Sequence, residues 1–255
     1  NHPWFHKLWD PKGKDILLID QKYLGVDDYK KHFYEVLLPA FNDKRYILVD
    51  DKPLFVIYSL THKDEIKTII ETWQALATEN GLKGIYFVGA QRKETKDEIL
   101  KLGFNAVYRI ADMLKVHSRQ SVLKKVFLLL RVKFFNSPRR YSFKDLTKYL
   151  YNKEDYESDT IPIIVPNFDH TPRSGTKGVV ITHTSPKLFR EQVKTACSLL
   201  KNKEKDHQLL FLISWNEWGE GNYIEPDLKF GNAYLEALRS VIREENKCDE
   251  ATIYN

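Results

Sequence analysis

The chain has 255 residues, with 42% hydrophobic, 13% aromatic and 29% charged side chains, enough apolar material for a sizeable core and too much for a disordered polymer. Two cysteines, Cys197 and Cys248, exclude a disulfide framework, and a C-x-x-C metal spacing is absent, so a reducing, cytoplasmic compartment is expected. The net charge of +5 is unevenly placed: residues 113–153 hold eleven basic side chains against Asp145 alone.

The chain starts Asn1-His2-Pro3-Trp4, with no initiator Met and no charged n-region before an apolar stretch, so no signal peptide is expected. Pro53 to Tyr58 then reads as a buried strand. Ile66, Ile69, Ile70, Trp73, Leu76 and Ala77 follow at helical spacing, a one-faced helix after that strand. Gly84 to Gly89, Asn105 to Ile110, Ile161 to Val165 and Leu209 to Trp215 are further short apolar runs bounded by turn or polar residues. Phe189, Val193, Ala196, Cys197 and Leu200 mark another helix, with Cys197 on its core stripe, and Tyr234, Leu235, Leu238, Val241 and Ile242 mark a last one.

Five continuous apolar strands separated by helices predict βα units on a parallel sheet, because parallel strands need crossovers and become buried on both faces. One α/β domain over residues 1–255 is expected, with residues 112–160 as a basic helical insertion in one connection. That insertion is suited to phosphate groups or to an anionic membrane surface; a solvated helical face is the plainer reading. The acid-richer remainder argues against nucleic acid. The apolar runs are too short to cross a bilayer, and a peripheral position at the inner membrane is the most that is expected.

In parallel βα arrays functional residues sit at the carboxyl ends of the strands. The last strand leads into Trp215, Asn216, Glu217, Trp218, Gly219, Glu220, Gly221, Asn222, Tyr223, Ile224 and Glu225. Glu217 and Glu220 stand three residues apart, so in a helical turn their Cβ atoms would lie about 5–6 Å apart and face one small substrate. Paired carboxyls suit glycosidic-bond chemistry: one is protonated for the leaving oxygen, the other ionised, with mutual repulsion raising one pKa. Trp215, Trp218 and Tyr223 offer flat faces for sugar CH groups, and loop acids that merely cap a helix or pair with Lys are the alternative.

The preceding strand ends in Pro166-Asn-Phe-Asp-His-Thr-Pro-Arg173. Asp169 is a candidate for holding sugar hydroxyls; Arg173 is a candidate for an anion, with an ion pair to Asp169 as the expected structural role. Tyr58, Gln91 and Arg109 end earlier strands and are weaker candidates for the same wall. The sequence has no HExxH, phosphate-loop, dinucleotide or serine-hydrolase motif, so no metal and no cofactor are expected.

The segment Ile213-Ser-Trp-Asn-Glu-Trp-Gly-Glu-Gly-Asn-Tyr-Ile-Glu-Pro226 resembles the signature of WbsX-like proteins, related to glycoside hydrolase family 99. Phe41 to Tyr58 resembles that group's D-x-R-Y-…-G-K-P-L-F-…-Y segment, and Pro166 to Arg173 its P-x-x-D-x-T-P-R segment. The likeness touches nearly the whole chain and is most specific in its last third. It implies a (β/α)8 TIM-type barrel whose first three strands this chain lacks, with Asn1 and Trp4 similar to the end of an upstream strand.

It further implies Glu217 as the base that activates a sugar 2-hydroxyl, and Glu220 as general acid and then base, on α-mannosides in the hydrolases. Gly219 stands where those hydrolases tend to carry His. WbsX-like proteins are usually described as glycosyltransferases of lipopolysaccharide or O-antigen assembly. The expectation is therefore an enzyme of bacterial surface polysaccharide, with Glu217 and Glu220 as the acting pair. Asn1, Trp4, Tyr58, Asp169, Arg173, Trp215, Asn216, Trp218, Tyr223 and Glu225 are expected to bind sugar. A lipid-linked or nucleotide-sugar diphosphate is a candidate for the basic insertion. An endo-acting hydrolase and a barrel that binds glycans without turnover are the alternatives.

Overall fold

The computed structural model describes residues 3–5, 16–110, 116 and 120–253, with side chains as far as residue 244. Asn1, His2 and Trp9, and within the basic segment Lys115 and Arg119, lie outside the described residues. A short antiparallel ribbon joins Trp4–Phe5 (β1) to Leu17–Ile19 (β2). Leu48–Val49 (β3) then turns through Asp50 and Asp51 into Lys52–Ile57 (β4) as a hairpin. Both turn residues have positive φ, 52° and 61°, a conformation that Asp tolerates because its short side chain can bond locally.

From β4 the sheet is parallel: Tyr86–Ala90 (β5), Ala106–Tyr108 (β6) and, after Arg139–Ser142 (β7), Thr160–Ile161 (β8) follow in order. Beyond Pro162 the chain continues as Ile163–Ile164 (β9), which hands the pairing on to Phe211–Leu212 (β11). The five lanes fall on the five runs read from the sequence, shifted or shortened by a few residues at their ends. Among the described residues the five-stranded sheet runs β3-β4-β5-β6-β8 with the antiparallel β3 at one edge, and beyond Pro162 the β9–β11 pair forms a further parallel ladder.

Alternation along β5 sorts its side chains between two cores. Phe87, with Ile85 just before the strand, packs with Ile66, Ile70, Trp73 and Leu76 of the helix Lys63–Glu79, and the Trp73 indole N–H donates to the Tyr29 carbonyl at 2.9 Å. Tyr86, Val88 and Ala90 face the other core, which includes Phe189, Val193 and Ala196 of the helix Pro186–Leu200. Every residue of β5 is buried, as a strand covered on both faces must be. Each large apolar side chain so buried contributes about 1.5–3 kcal/mol.

Between β6 and β8 lie a helix Val122–Phe135, strand β7, a helix Phe143–Leu150 and a 3-10 turn Lys153–Tyr156. Ser121 and Ser142 start the two helices by accepting from the backbone N–H three residues on, at Lys124 and Asp145. The segment is tied back to the domain by β7, which pairs in parallel with Val179–Thr182 (β10).

Candidate active site at the carboxyl end of the sheet

Two loops meet beyond the last lanes. After β11 the chain forms a hairpin of Asn216–Glu217 (β12) and Asn222–Tyr223 (β13), closed by a 3-10 turn Trp218–Glu220. In a 3-10 turn residues three apart eclipse, so Glu220 is brought over the Glu217 side, the relation expected of the pair. Gly221 closes the turn at φ 50°, and an added Cβ there would lie 3.0 Å from Asp169 Cβ, so glycine meets both a backbone and a space requirement. Buried Asn222 locks the base of the hairpin by accepting from Ser214 N–H at 2.6 Å.

The second loop follows β9. Asn167 grips the hairpin from this side, its Oδ1 accepting from Tyr223 N–H at 2.9 Å and its amide donating to the Tyr223 carbonyl at 3.1 Å. Asp169 N–H donates to the Glu220 carbonyl at 2.7 Å. The loops are thus sewn together through backbone groups before any carboxylate is used.

The site itself is an arginine fork. Arg173 Nη2 donates to Glu217 Oε1 at 3.1 Å and Nη1 to Glu220 Oε1 at 2.8 Å. His170 Nε2 stands 3.5 Å from the same Glu220 oxygen, its ring held by Ser174 Oγ at 2.9 Å on Nδ1 and stacked parallel to Phe168. Among the described residues no hydrogen bond reaches Oε2 of either glutamate. The Glu217 and Glu220 side chains are 40% and 25% exposed, open enough to meet a solute while partly shielded from water.

The ion pair of Arg173 with Asp169 expected from the sequence is not formed. Asp169 Oδ1 instead accepts from Thr171 N–H at 2.9 Å and Thr171 Oγ1 at 2.5 Å, a local turn that uses its acceptor and leaves Arg173 to reach across to the hairpin. One guanidinium therefore offsets two carboxylates, where repulsion between two bare acids was expected. Gly219 makes room for it: a Cβ at that position would stand 3.1 Å from Glu217 Oε1 and 3.2 Å from Arg173 Nη2.

An aromatic shelf borders the fork. Trp218 and Tyr223 stack at 3.7 Å with an interplanar angle of 14°, and the Trp218 N–H donates to Glu225 Oε2 at 2.6 Å, fixing the indole. Burial, and then the charge of Asp227 that accepts its hydroxyl, raise the pKa of Tyr223. Trp215 is exposed nearby in sequence and Asn216 pairs opposite Tyr223 in the hairpin, so Glu217, Glu220, Asp169, Arg173, Asn216, Trp218, Tyr223 and Glu225 belong to one pair of linked loops.

Tyr58 is elsewhere. It follows β4, four lanes from β11, and accepts from Arg92 at 2.7 Å beside an open cleft of about 770 Å³ lined by residues such as Leu60, His62, Glu65 and Arg92. Trp4 belongs to the N-terminal ribbon. Gln91 donates to the Glu94 carbonyl at 3.1 Å. Arg109, directly after β6, is buried and forks onto Glu154 and Asp155 of the 3-10 turn Lys153–Tyr156. His170 and Asn167 were not singled out from the sequence; the only signal was their place in the run Asn167-Phe-Asp-His-Thr-Pro-Arg173. Asp50, Glu204 and His207 gather at the opposite end of the sheet, where ligand atoms within 4.8 Å of one another are largely exposed.

Among the described residues no helix is long and apolar enough to cross a membrane. In shape the chain resembles a solved glycoside hydrolase-like protein, with a TM-score of 0.56 at 17% identity over 87% of this chain and 62% of that one, a likeness of fold alone. In sequence it is 27% identical over 250 residues to uncharacterized protein WxcX of Xanthomonas campestris pv. campestris, in strains B100 and ATCC 33913 alike. The match covers 95% of this chain and 34% of WxcX, so the chain spans about a third of the length of these relatives. The profile of the family described as glycosyltransferase WbsX matches residues 1–238, and with that span the chain belongs to the glycosyltransferase WbsX family.

Proposed function

We propose that the chain is the catalytic part of a carbohydrate-active enzyme that makes or remodels glycosidic bonds in bacterial surface polysaccharide, of the lipopolysaccharide or O-antigen kind. The observation that carries this reading is the fork of Arg173 on Glu217 and Glu220 beside a stacked Trp218–Tyr223 shelf at the carboxyl end of a parallel sheet. The five parallel lanes are read as part of a (β/α)8-type barrel, and residues 112–160 as an insertion in it.

In the proposed step a pyranoside lies on the Trp218 face. Glu217 takes the proton of the 2-hydroxyl as O2 closes on the anomeric carbon, while protonated Glu220 delivers its proton to the departing glycosidic oxygen. Glu220, now ionised, deprotonates water or an acceptor hydroxyl, which opens the anhydro ring at the anomeric carbon, and Glu217 returns its proton to O2. Two inversions give net retention. Arg173 holds both Oε1 atoms, so the unbonded Oε2 atoms are those available for proton transfer. The roles of the two acids come from the family 99 resemblance; Arg173, Asp169, Asn216, Trp215, Tyr223 and Glu225 are proposed to position the pair and the sugar. Tyr58 and Trp4 are proposed for more distant sugar units. Asn1 lies outside the described residues.

The hydrolase alternative is favoured by the acid pair, which needs no nucleotide site; the transferase reading is favoured by the family description, with a lipid-linked or nucleotide-sugar diphosphate held at the basic segment. Proton NMR separates them. An α-mannan-type glycan releasing a sugar of retained anomeric configuration, with loss in Glu220→Gln, supports the hydrolase. Nucleotide release with a new anomeric signal on an acceptor supports transfer. Glycan binding with no turnover in either assay rejects the catalytic reading in favour of a binding module.

A further inference from the structure

We propose that the helix Val122–Phe135 is an in-plane anchor for an anionic phospholipid surface. Large apolar side chains seldom stand unprotected on one side of a helix, yet Val122, Leu123, Phe127 and Phe134 are 74%, 83%, 60% and 69% exposed. At about 100° per residue, Val122, Leu123, Val126, Phe127, Leu130 and Phe134 fall within an arc of about 140°. Leu128, the one buried residue of the helix, points the other way and ties it to the core. Leu129 and Phe135, 62% and 78% exposed, stand outside this arc, so apolar surface is open around most of the helix, the reverse of an ordinary amphipathic helix on a domain surface.

The charge on the same helix selects the occupant. Lys124, Lys125, Arg131 and Lys133 are its only charged residues, and Arg139 and Arg140 follow in β7. Arg131 and Lys125 flank the apolar arc on its two sides, and Lys133 rises within it on a stem long enough to carry its ammonium to the headgroups. Arg131 lies 5.8 Å from the Phe127 ring and Lys133 5.8 Å from the Phe134 ring, so cations border the aromatics along the helix. Lys124 turns away from the arc toward Asp145 at 3.6 Å, while the other three cations border apolar surface on a helix with no acid of its own, which suits the boundary of headgroups and acyl chains of an anionic bilayer. A second copy of the chain would set these cations against their own likeness. At 14 residues, about 21 Å, the helix is too short to span a hydrocarbon core of about 30 Å, so it lies along the surface.

The inference rests on this helix and not on the chemistry of the acid pair, so either can fail without the other. The test is flotation of the 255-residue chain with vesicles of phosphatidylcholine alone and with about a third phosphatidylglycerol. The wild type is expected to float with the anionic vesicles at least tenfold better, and less so at high salt. Leu123→Ser with Phe127→Ser and Phe134→Ser should reduce that binding by tenfold or more at unchanged circular dichroism. Lys125→Gln with Arg131→Gln and Lys133→Gln should reduce it by about a hundredfold, roughly fivefold per charge. Glu220→Gln should float as the wild type does. Absence of wild-type flotation on anionic vesicles overturns the proposal. So does a dimer in light scattering that the serine substitutions dissolve, which would give the face to a second copy.

Discussion

Arg109 and Arg173 each fork onto two carboxylates, and each lies beyond the end of a parallel strand, yet the Arg109 side chain is 3% exposed and that of Arg173 23%. Arg109 and Asp155 are both 3% exposed; Asp155 also accepts from Asn152 N–H, and Glu154 N–H donates to Asn152 Oδ1, so this fork is welded into a 3-10 turn. Arg173, on a four-residue helix, holds one acid from a two-residue strand and one from a 3-10 turn, both partly open to solvent. The same one-to-two charge ratio is thus anchored by a buried arginine–aspartate pair in one fork, with Glu154 at its open edge, and left partly open at the arginine and both acids in the other.

The sharpest break of this comparison is at Glu220. Glu220→Gln removes the proposed proton donor while keeping the amide in the Arg173 fork, so turnover of the responsive glycan should fall by about 10³-fold or more with the melting temperature within a few degrees. A loss of folding instead would make this fork structural as well. Arg109→Met should do the opposite, costing about 3–5 kcal/mol in denaturant unfolding because Asp155 is left buried with an uncompensated charge. Arg173→Met, at a half-open site, should cost under about 1 kcal/mol of stability and yet cripple turnover. If the two arginine variants lose equal stability, burial does not distinguish the forks.

Gly219→Ala tests the space around the Arg173 fork. Its Cβ would approach Glu217 Oε1 and Arg173 Nη2 to 3.1 and 3.2 Å, so kcat should fall by about tenfold with little change in stability. An effect of another kind is one of pH, at Lys203, whose ammonium donates to the Thr160 carbonyl at 2.6 Å. Burial pushes its pKa down to about 8, against the pull of Asp155, Asp159 and Glu157. The unfolded chain keeps this proton to higher pH than the folded one, so its contribution to stability rises between pH 8 and the ordinary lysine range near 10.5 and is lost as pH falls back through 8. Lys203→Met should flatten the stability profile over that window; an unchanged slope would show that the ammonium is not depressed.

Periodicity and turn residues alone determined the order of the five parallel lanes, the three long one-faced helices and the nearness of Glu217 to Glu220, because each depends on neighbours a few residues apart. The roles of the charged groups depended on contacts that sequence spacing does not encode. Arg173 finds its acids 44 and 47 residues away while Asp169, four residues off, is taken up by Thr171; Arg109 finds its own partners 45 and 46 residues away. The basic segment was legible as charge, but whether its apolar residues faced in or out was not, since helical spacing gives a face and only packing says what covers it. Local geometry is written in short-range pattern; which arginine guards a fold and which opens onto a site is decided by where the chain crosses itself and what water is left there.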